Sequence, residues 1–174
     1  MLRFPDLPDL RPTPDRVRET LFNWLGQDLT GLATLDLFAG SGALSFEALS
    51  RGARLAVAID SSRAAVTALE ANRKALDATG LEARQADAAA HLERERRLFD
   101  VIFLDPPFND GRWPDALWER IVTRLNAGGI VYLEQPRAID PPASMELLRY
   151  ARAGRVHYHL LRLRQSSRAA RPVS

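Results

Sequence analysis

Short apolar runs that stop at an acid constrain this chain more than any other feature. Leu55 to Ile59 ends at Asp60, a weaker run from Glu82 to Ala86 ends at Asp87, and Phe99 to Leu104 ends at Asp105. Ala33 to Leu37 carries Asp36 near its end, and Ile130 runs into Glu134. Runs without polar alternation read as strands buried on both faces. Helical patterns over 43–50, 62–78, 88–96 and 114–125 separate them. Strand–helix alternation implies right-handed crossovers and a parallel sheet covered on both sides. Glu146–Arg152 and Arg155–Arg164 break the rhythm and read as an antiparallel hairpin on the sheet edge. The expected fold class is therefore α/β, a mostly parallel seven-stranded sheet with an antiparallel C-terminal hairpin.

In such a sheet, ligands bind outside the carboxyl ends of the strands. Asp60, Asp87, Asp105 and Glu134 then line one rim. Ahead of the first strand, Thr13 can cap a helix, with Pro14 at its first position. Val17, Leu21, Trp24 and Leu25 give that helix one apolar face, and it should end near Gly26.

The turn Asp36-Leu37-Phe38-Ala39-Gly40-Ser41-Gly42 follows a strand and opens a helix. Gly40 and Gly42 let backbone approach a ligand, and the helix amino end offers free N–H groups. A dinucleotide loop would place a third glycine at position 45, where this chain has Ser45. S-adenosylmethionine carries a carboxylate and no phosphate, so a looser turn suffices for it. Asp60 would accept hydrogen bonds from the ribose hydroxyls, and Asp87 could bond the adenine amino group.

The stretch Phe99-Asp100-Val101-Ile102-Phe103-Leu104-Asp105-Pro106-Pro107-Phe108 ends a strand with an acid, two prolines and an aromatic ring. An exocyclic amine on a base is a poor nucleophile because its lone pair is delocalised into the ring. The Asp105 carboxylate and the Pro106 carbonyl can each accept one N–H of such an amine. That localises the lone pair toward a methyl donor. Pro106 and Pro107 fix the spacing of the two acceptors, and Phe108 would stack on a base flipped out of its surroundings.

The motifs Arg11–Leu25 (RPTPDRVRETLFNWL), Leu35–Ala53 (LDLFAGSGALSFEALSRGA), Asp105–Phe108 (DPPF) and Val131–Pro136 (VYLEQP) resemble the RsmD family. These are bacterial 16S ribosomal RNA guanine-N2 methyltransferases of class I. The resemblance runs from about Leu10 to Gln165 and implies a Rossmann-like class I methyltransferase fold. It further implies S-adenosyl-L-methionine as cofactor and a guanine of small-subunit RNA as substrate, presented on an assembled or partly assembled 30S particle. Thr13 and Arg18 would help close the cofactor pocket. Phe38, Ala39, Gly40 and Gly42 would shape its methionine side, within the cofactor-binding set Asp36, Phe38–Gly42 (Ser41 included), Asp60 and Asp87. Asp105, Pro106, Pro107 and Phe108 would form the catalytic loop.

Family members carry a basic segment of the form GxxRGRxL before the RPT motif, where this chain has residues 1–10. Residues 1–174 thus read as one methyltransferase domain, 1–10 as a remnant of that segment and 166–174 as a flexible tail.

Composition narrows the alternatives. There is no cysteine, which excludes disulfides and a thiol nucleophile. No apolar run approaches the ~20 residues that span a bilayer, so a cytoplasmic setting without membrane contact is expected. The net charge is +2, with Lys74 the sole lysine and arginines clustered near both ends. Arg149, Arg152, Arg155, Arg162, Arg164, Arg168 and Arg171 would suit RNA phosphates or serve as plain solvated surface. His157 and His159 share one strand face, but no third ligand supports a metal site. Trp118 reads as core and Trp113 as a candidate wall of the base pocket. No exposed apolar stripe stands out, so a monomer is expected. DPPF chemistry alone also allows an adenine-N6 methyltransferase or a protein glutamine-N5 methyltransferase. An RNA-binding module with an inactive cofactor fold is the non-enzymatic alternative.

Overall fold

The computed structural model describes residues 15–107 and 115–165. Thr13, Phe108, Trp113, the residues 1–10 and the tail 166–174 lie outside the described residues. In chain order the elements are α1 (Asp15–Leu25), β1 (Ala33–Asp36), α2 (Ala43–Ser50), β2 (Leu55–Asp60), α3 (Arg63–Ala75), β3 (Leu81–Gln85) and α4 (Ala88–Arg94). They continue as β4 (Phe99–Leu104), α5 (Asp115–Val122), β5 (Leu125–Gln135), β6 (Met145–Ala153) and β7 (Val156–Leu163).

The sheet has seven strands in the order β3-β2-β1-β4-β5-β7-β6. The first five positions are parallel, and β7 runs antiparallel to both β5 and β6. This is the expected fold class, hairpin included. Alternate residues of β4 explain how the sheet is covered. Ile102 and Leu104 pack toward Leu92 of α4 and Trp118 and Ile121 of α5. Val101 and Phe103 pack toward Val17, Leu21 and Phe22 of α1 and Leu44 of α2. Full burial of one such side chain stabilises by about 1.5–3 kcal/mol. A smaller cluster of Ala39, Phe46, Ala56, Ala58 and Leu69 joins α2 and α3 to β2.

Helices α4 and α5 end at Arg94 and Val122, short of the expected 96 and 125, because Glu95 is already extended and β5 starts at Leu125; two further boundaries also differ from the sequence pattern. β5 begins at Leu125, so Gly128 and Gly129 lie inside the strand. The ladder to β4 jumps from Phe99↔Leu125 to Val101↔Ile130, and Gly128 at φ 72° absorbs the surplus residues as a bulge. α3 stops at Ala75 because the chain turns left-handed at Asp77, φ 51°. Trp118 is buried in the core, as its spacing implies.

Candidate active site

β1 separates two directions of assembly: β2 and β3 lie on one side of it, β4 and β5 on the other. A crevice opens at such a switch point. Asp36 pairs in register with Phe103, and the Leu37 N–H donates to the Phe103 carbonyl at 3.2 Å. The glycine turn and the Asp105 loop therefore leave the sheet beside one another.

Asp36, the last residue of β1, is 2% exposed. The Phe38 N–H donates to its Oδ1 at 3.3 Å and the Ser45 hydroxyl to its Oδ2 at 3.2 Å. Burial pushes the Asp36 carboxyl up to about 7; the Phe38 N–H opposes this, and the charges of Asp105 and Asp60 add to it. Ser45 is fully buried on α2. The sequence pattern marks it only as a missing glycine; its hydroxyl is a donor to Asp36.

The glycine turn is tied to the end of β2. The Gly40 N–H donates to Asp60 Oδ2 at 2.8 Å, and the Ala39 N–H to the Ile59 carbonyl at 2.9 Å. Asp60 Oδ1 accepts from the Ser62 N–H at 2.8 Å. Each Asp60 oxygen thus holds one backbone donor, and a carboxylate has lone pairs left for hydroxyl donors. Gly42 caps α2 with φ 79°, and a Cβ there would run into Leu69 and Phe46. Both conformation and packing require glycine at this position.

Asp87 lies beyond the end of β3, one strand further along. The Ala86 N–H donates to the Asp60 carbonyl at 3.0 Å, which keeps the two rim acids close. Asp87 Oδ1 also caps α4 by accepting from the Ala90 N–H at 3.0 Å. Arg18 places its guanidinium 2.8 Å from Asp15 and 3.7 Å from Glu47 of α2. It ties α1 to the helix that begins at the glycine turn. His157 and His159 have separate partners: the Tyr150 hydroxyl lies 2.7 Å from His157 Nδ1, and His159 Nε2 accepts from the Ile139 N–H at 3.3 Å.

Asp105 and Pro106 are half-buried at the end of β4, and Pro107 is exposed. Beside them, on β5, Glu134 is only 5% exposed. It follows Leu133, the register partner of Leu104, and so lies beside Asp105 near enough to feel its charge, and Tyr132 donates its hydroxyl to Glu134 Oε1 at 2.8 Å. Burial, then the charge of Asp105, pushes the Glu134 carboxyl up to about 8, against the opposing Tyr132 hydroxyl bond. Burial and the charge of Glu134 likewise raise the Tyr132 phenol. The site thus contains Glu134, an expected rim acid with no assigned role, and a phenol outside the expected set. Their signal was the i,i+2 spacing of Tyr132 and Glu134 on one strand face.

Three comparisons place this geometry among known proteins. The profile of the conserved hypothetical protein 95 family matches residues 1–162. The chain is 39% identical over 168 residues to ribosomal RNA small subunit methyltransferase D of Escherichia coli K12, covering 91% of this chain and 82% of that protein. It is 35% identical over 158 residues to the protein of the same name from Haemophilus influenzae, covering 87% and 82%. The solved structure of yhhF from Escherichia coli superposes with a TM-score of 0.83 at 36% identity, covering 93% of this chain and 91% of that one.

Proposed function

Because the chain belongs to the conserved hypothetical protein 95 family, the RsmD family of ribosomal RNA methyltransferases, we propose that it methylates the exocyclic N2 amine of a guanine in 16S ribosomal RNA, using S-adenosyl-L-methionine. The observation that carries this reading is the adjacency of Asp36 and Asp105 on neighbouring strands: Asp36 pairs with Phe103, two residues before Asp105. The acid of the glycine turn and the acid of the DPP loop are close enough to act on one another's charge. A methyl donor on one and an amine on the other would lie side by side.

The donor set fits that cofactor. Asp36 and Asp105, at the ends of neighbouring strands, and Asp60, beside the glycine turn, set acceptor oxygens around this site, which suits a ligand bearing an ammonium and a sulfonium group. When bound, S-adenosylmethionine supplies a methyl group already made electrophilic by its sulfonium. Phe38, Ala39, Gly40, Ser41 and Gly42 would shape the methionine end, with Asp36 beneath. Asp60 would hold the ribose hydroxyls on the lone pairs its two backbone donors leave free. Asp87, already oriented by the α4 cap, would meet the adenine amine. Arg18, with Thr13, would steady α1 over this end.

On the substrate side, the Asp105 carboxylate and Pro106 carbonyl would each accept one amine N–H. Pro106 and Pro107 keep those acceptors at a fixed separation, so little reorganisation accompanies the reaction. Phe108 would supply the stacking face.

Transfer of label from cofactor to four substrates tests the reading: 30S particles, naked 16S RNA, duplex DNA and bulk protein. Label in the RNA of either of the first two supports it. Label confined to DNA or protein overturns it.

A further inference from the structure

The carboxyl rim of the sheet is divided by charge. At or just beyond the ends of β1, β2, β3 and β4 stand Asp36, Asp60, Asp87 and Asp105. On the other side of β5 the rim is formed by the turn of the β6–β7 hairpin. Gln135, which ends β5, pairs with His157, and Arg152 and Ala153, which end β6, pair with His157 and Val156. The turn carries Arg155, the strand end Arg152, and Arg149 lies one step back along β6; all three are exposed. Neighbouring strands lie ~4.8 Å apart, so β6 stands about 14 Å from Asp105, across β5 and β7.

These arginines lack the acidic partners that others have. Arg73 lies 2.8 Å from Glu70, Arg97 lies 3.0 Å from Glu82, and Arg162, toward the other end of the hairpin, lies 3.0 Å from Glu146. Among the described residues, no acid lies within ion-pairing distance of Arg149, Arg152 or Arg155. Arg152 instead donates its Nε–H to the Gly154 carbonyl at 2.8 Å, and Arg149 donates from Nη1 to the Leu148 carbonyl at 2.9 Å. The first bond fixes the guanidinium of Arg152 and leaves both of its Nη groups for an outside acceptor. A guanidinium held in this way presents a fork that matches phosphate oxygens. Tyr150 shares a strand face with Arg152, since their partners are His159 and His157. Its ring packs beside both histidines, with centroids 5.3 and 5.8 Å away, yet stays 46% exposed.

We propose that the tip of the β6–β7 hairpin is the docking surface for the RNA backbone beside the methylated nucleotide, with Arg149, Arg152 and Arg155 on its phosphates. This rests on the RNA-substrate reading given above. The acids along β1 to β4 repel phosphates from the cofactor side, and the arginines draw them to the hairpin side. The charge pattern thus sets the direction from which RNA reaches Asp105. The exposed Tyr150 ring favours RNA over an acidic protein segment, because unpaired bases stack on aromatic faces. A grip remote from the reacting amine holds ground state and transition state alike, so its loss belongs in KM and Kd rather than in kcat.

Filter binding of labelled naked 16S RNA across a salt series, with methylation kinetics on 30S particles, tests this on the full chain. The double variant Arg152→Gln/Arg155→Gln should raise the RNA Kd by about tenfold or more. Its salt slope should become shallower by about 0.7 for each arginine that met a phosphate of single-stranded RNA. KM for 30S particles should rise in step, with kcat and the cofactor Kd unchanged. The control Arg73→Gln/Lys74→Gln removes as much charge from the end of α3, at the opposite rim of the sheet, and should change the RNA Kd by less than about twofold. Three results overturn the proposal: an RNA Kd and salt slope unchanged in the hairpin variant, an equal loss in the α3 variant, or weaker binding to 30S particles with naked RNA unaffected, which would make a ribosomal protein the partner. If the unaltered protein transfers no methyl group to 30S particles while the RNA Kd responds as described, the substrate reading fails and the hairpin surface stands.

Discussion

Gly40 and Asp60 are joined across the rim of the sheet: the Gly40 N–H donates to Asp60 Oδ2 at 2.8 Å. The acid proposed to bind the ribose therefore also sets the position of the turn proposed to bind the methionine end. The two proposed halves of the cofactor pocket are thus tied together by the protein's own backbone.

Asp60→Ala should accordingly weaken cofactor binding about tenfold or more, roughly 1.4 kcal/mol per factor of ten. Asp60→Asn keeps one oxygen acceptor and should fall between the two. Isothermal titration calorimetry with S-adenosylmethionine gives the comparison; unchanged affinity in Asp60→Ala would refute the ribose contact.

Asp105→Ala should separate binding from chemistry. Methyl transfer to 30S particles should drop by about 10²-fold or more, since a preorganised acceptor at the reacting amine is lost. Cofactor affinity should stay nearly the same, because Asp60 and the glycine turn remain. If cofactor binding collapses with activity, Asp105 is structural.

Gly42→Ala should destabilise the folded protein by roughly 1–3 kcal/mol, since φ 79° is costly for alanine and the added carbon meets Leu69 and Phe46. Urea unfolding monitored by circular dichroism reads this directly. A midpoint equal to that of the unaltered protein would contradict the description of the turn.

Asp36 predicts a pH dependence of stability. Its folded value is raised from 3.8 to about 7, so its contribution is complete below about pH 4 and is lost as the pH rises through 7. Buried His91 and His159 are shifted down and act in the opposite sense, so the informative quantity is a difference between variants. The melting temperature of Asp36→Asn minus that of the unaltered protein should climb between about pH 4 and pH 7 and then level off. A flat difference would mean that Asp36 is not held in a desolvated site.

The sheet was legible because burial on both faces writes itself into runs such as Leu55–Ile59 and Phe99–Leu104. Strand ends were legible where prolines follow, as after Asp105, or where an acid is the last strand residue, as at Asp60; Glu134 was less informative, since β5 runs past it to Gln135. Contacts across the sheet were harder. That Asp60 holds Gly40, or that Ser45 donates to Asp36, depends on which strands become neighbours and how helix α2 is rotated. The early start of β5 escaped for a local reason: Gly128 and Gly129 look like a turn, and only pairing with Phe99 makes them a bulge. Asp87 shows a double use that spacing cannot reveal, since a helix cap and a ligand acceptor call for the same carboxylate. Tyr132 sits in a buried strand like its apolar neighbours; its hydroxyl matters because Glu134 lies two residues on.

The nucleoside that receives the methyl group decides the central claim. 30S particles should be incubated with the protein and labelled S-adenosylmethionine, the RNA digested to nucleosides, and the label identified by chromatography with mass spectrometry. The label should co-migrate with N2-methylguanosine and be lost with Asp105→Ala. Label in N6-methyladenosine would contradict it.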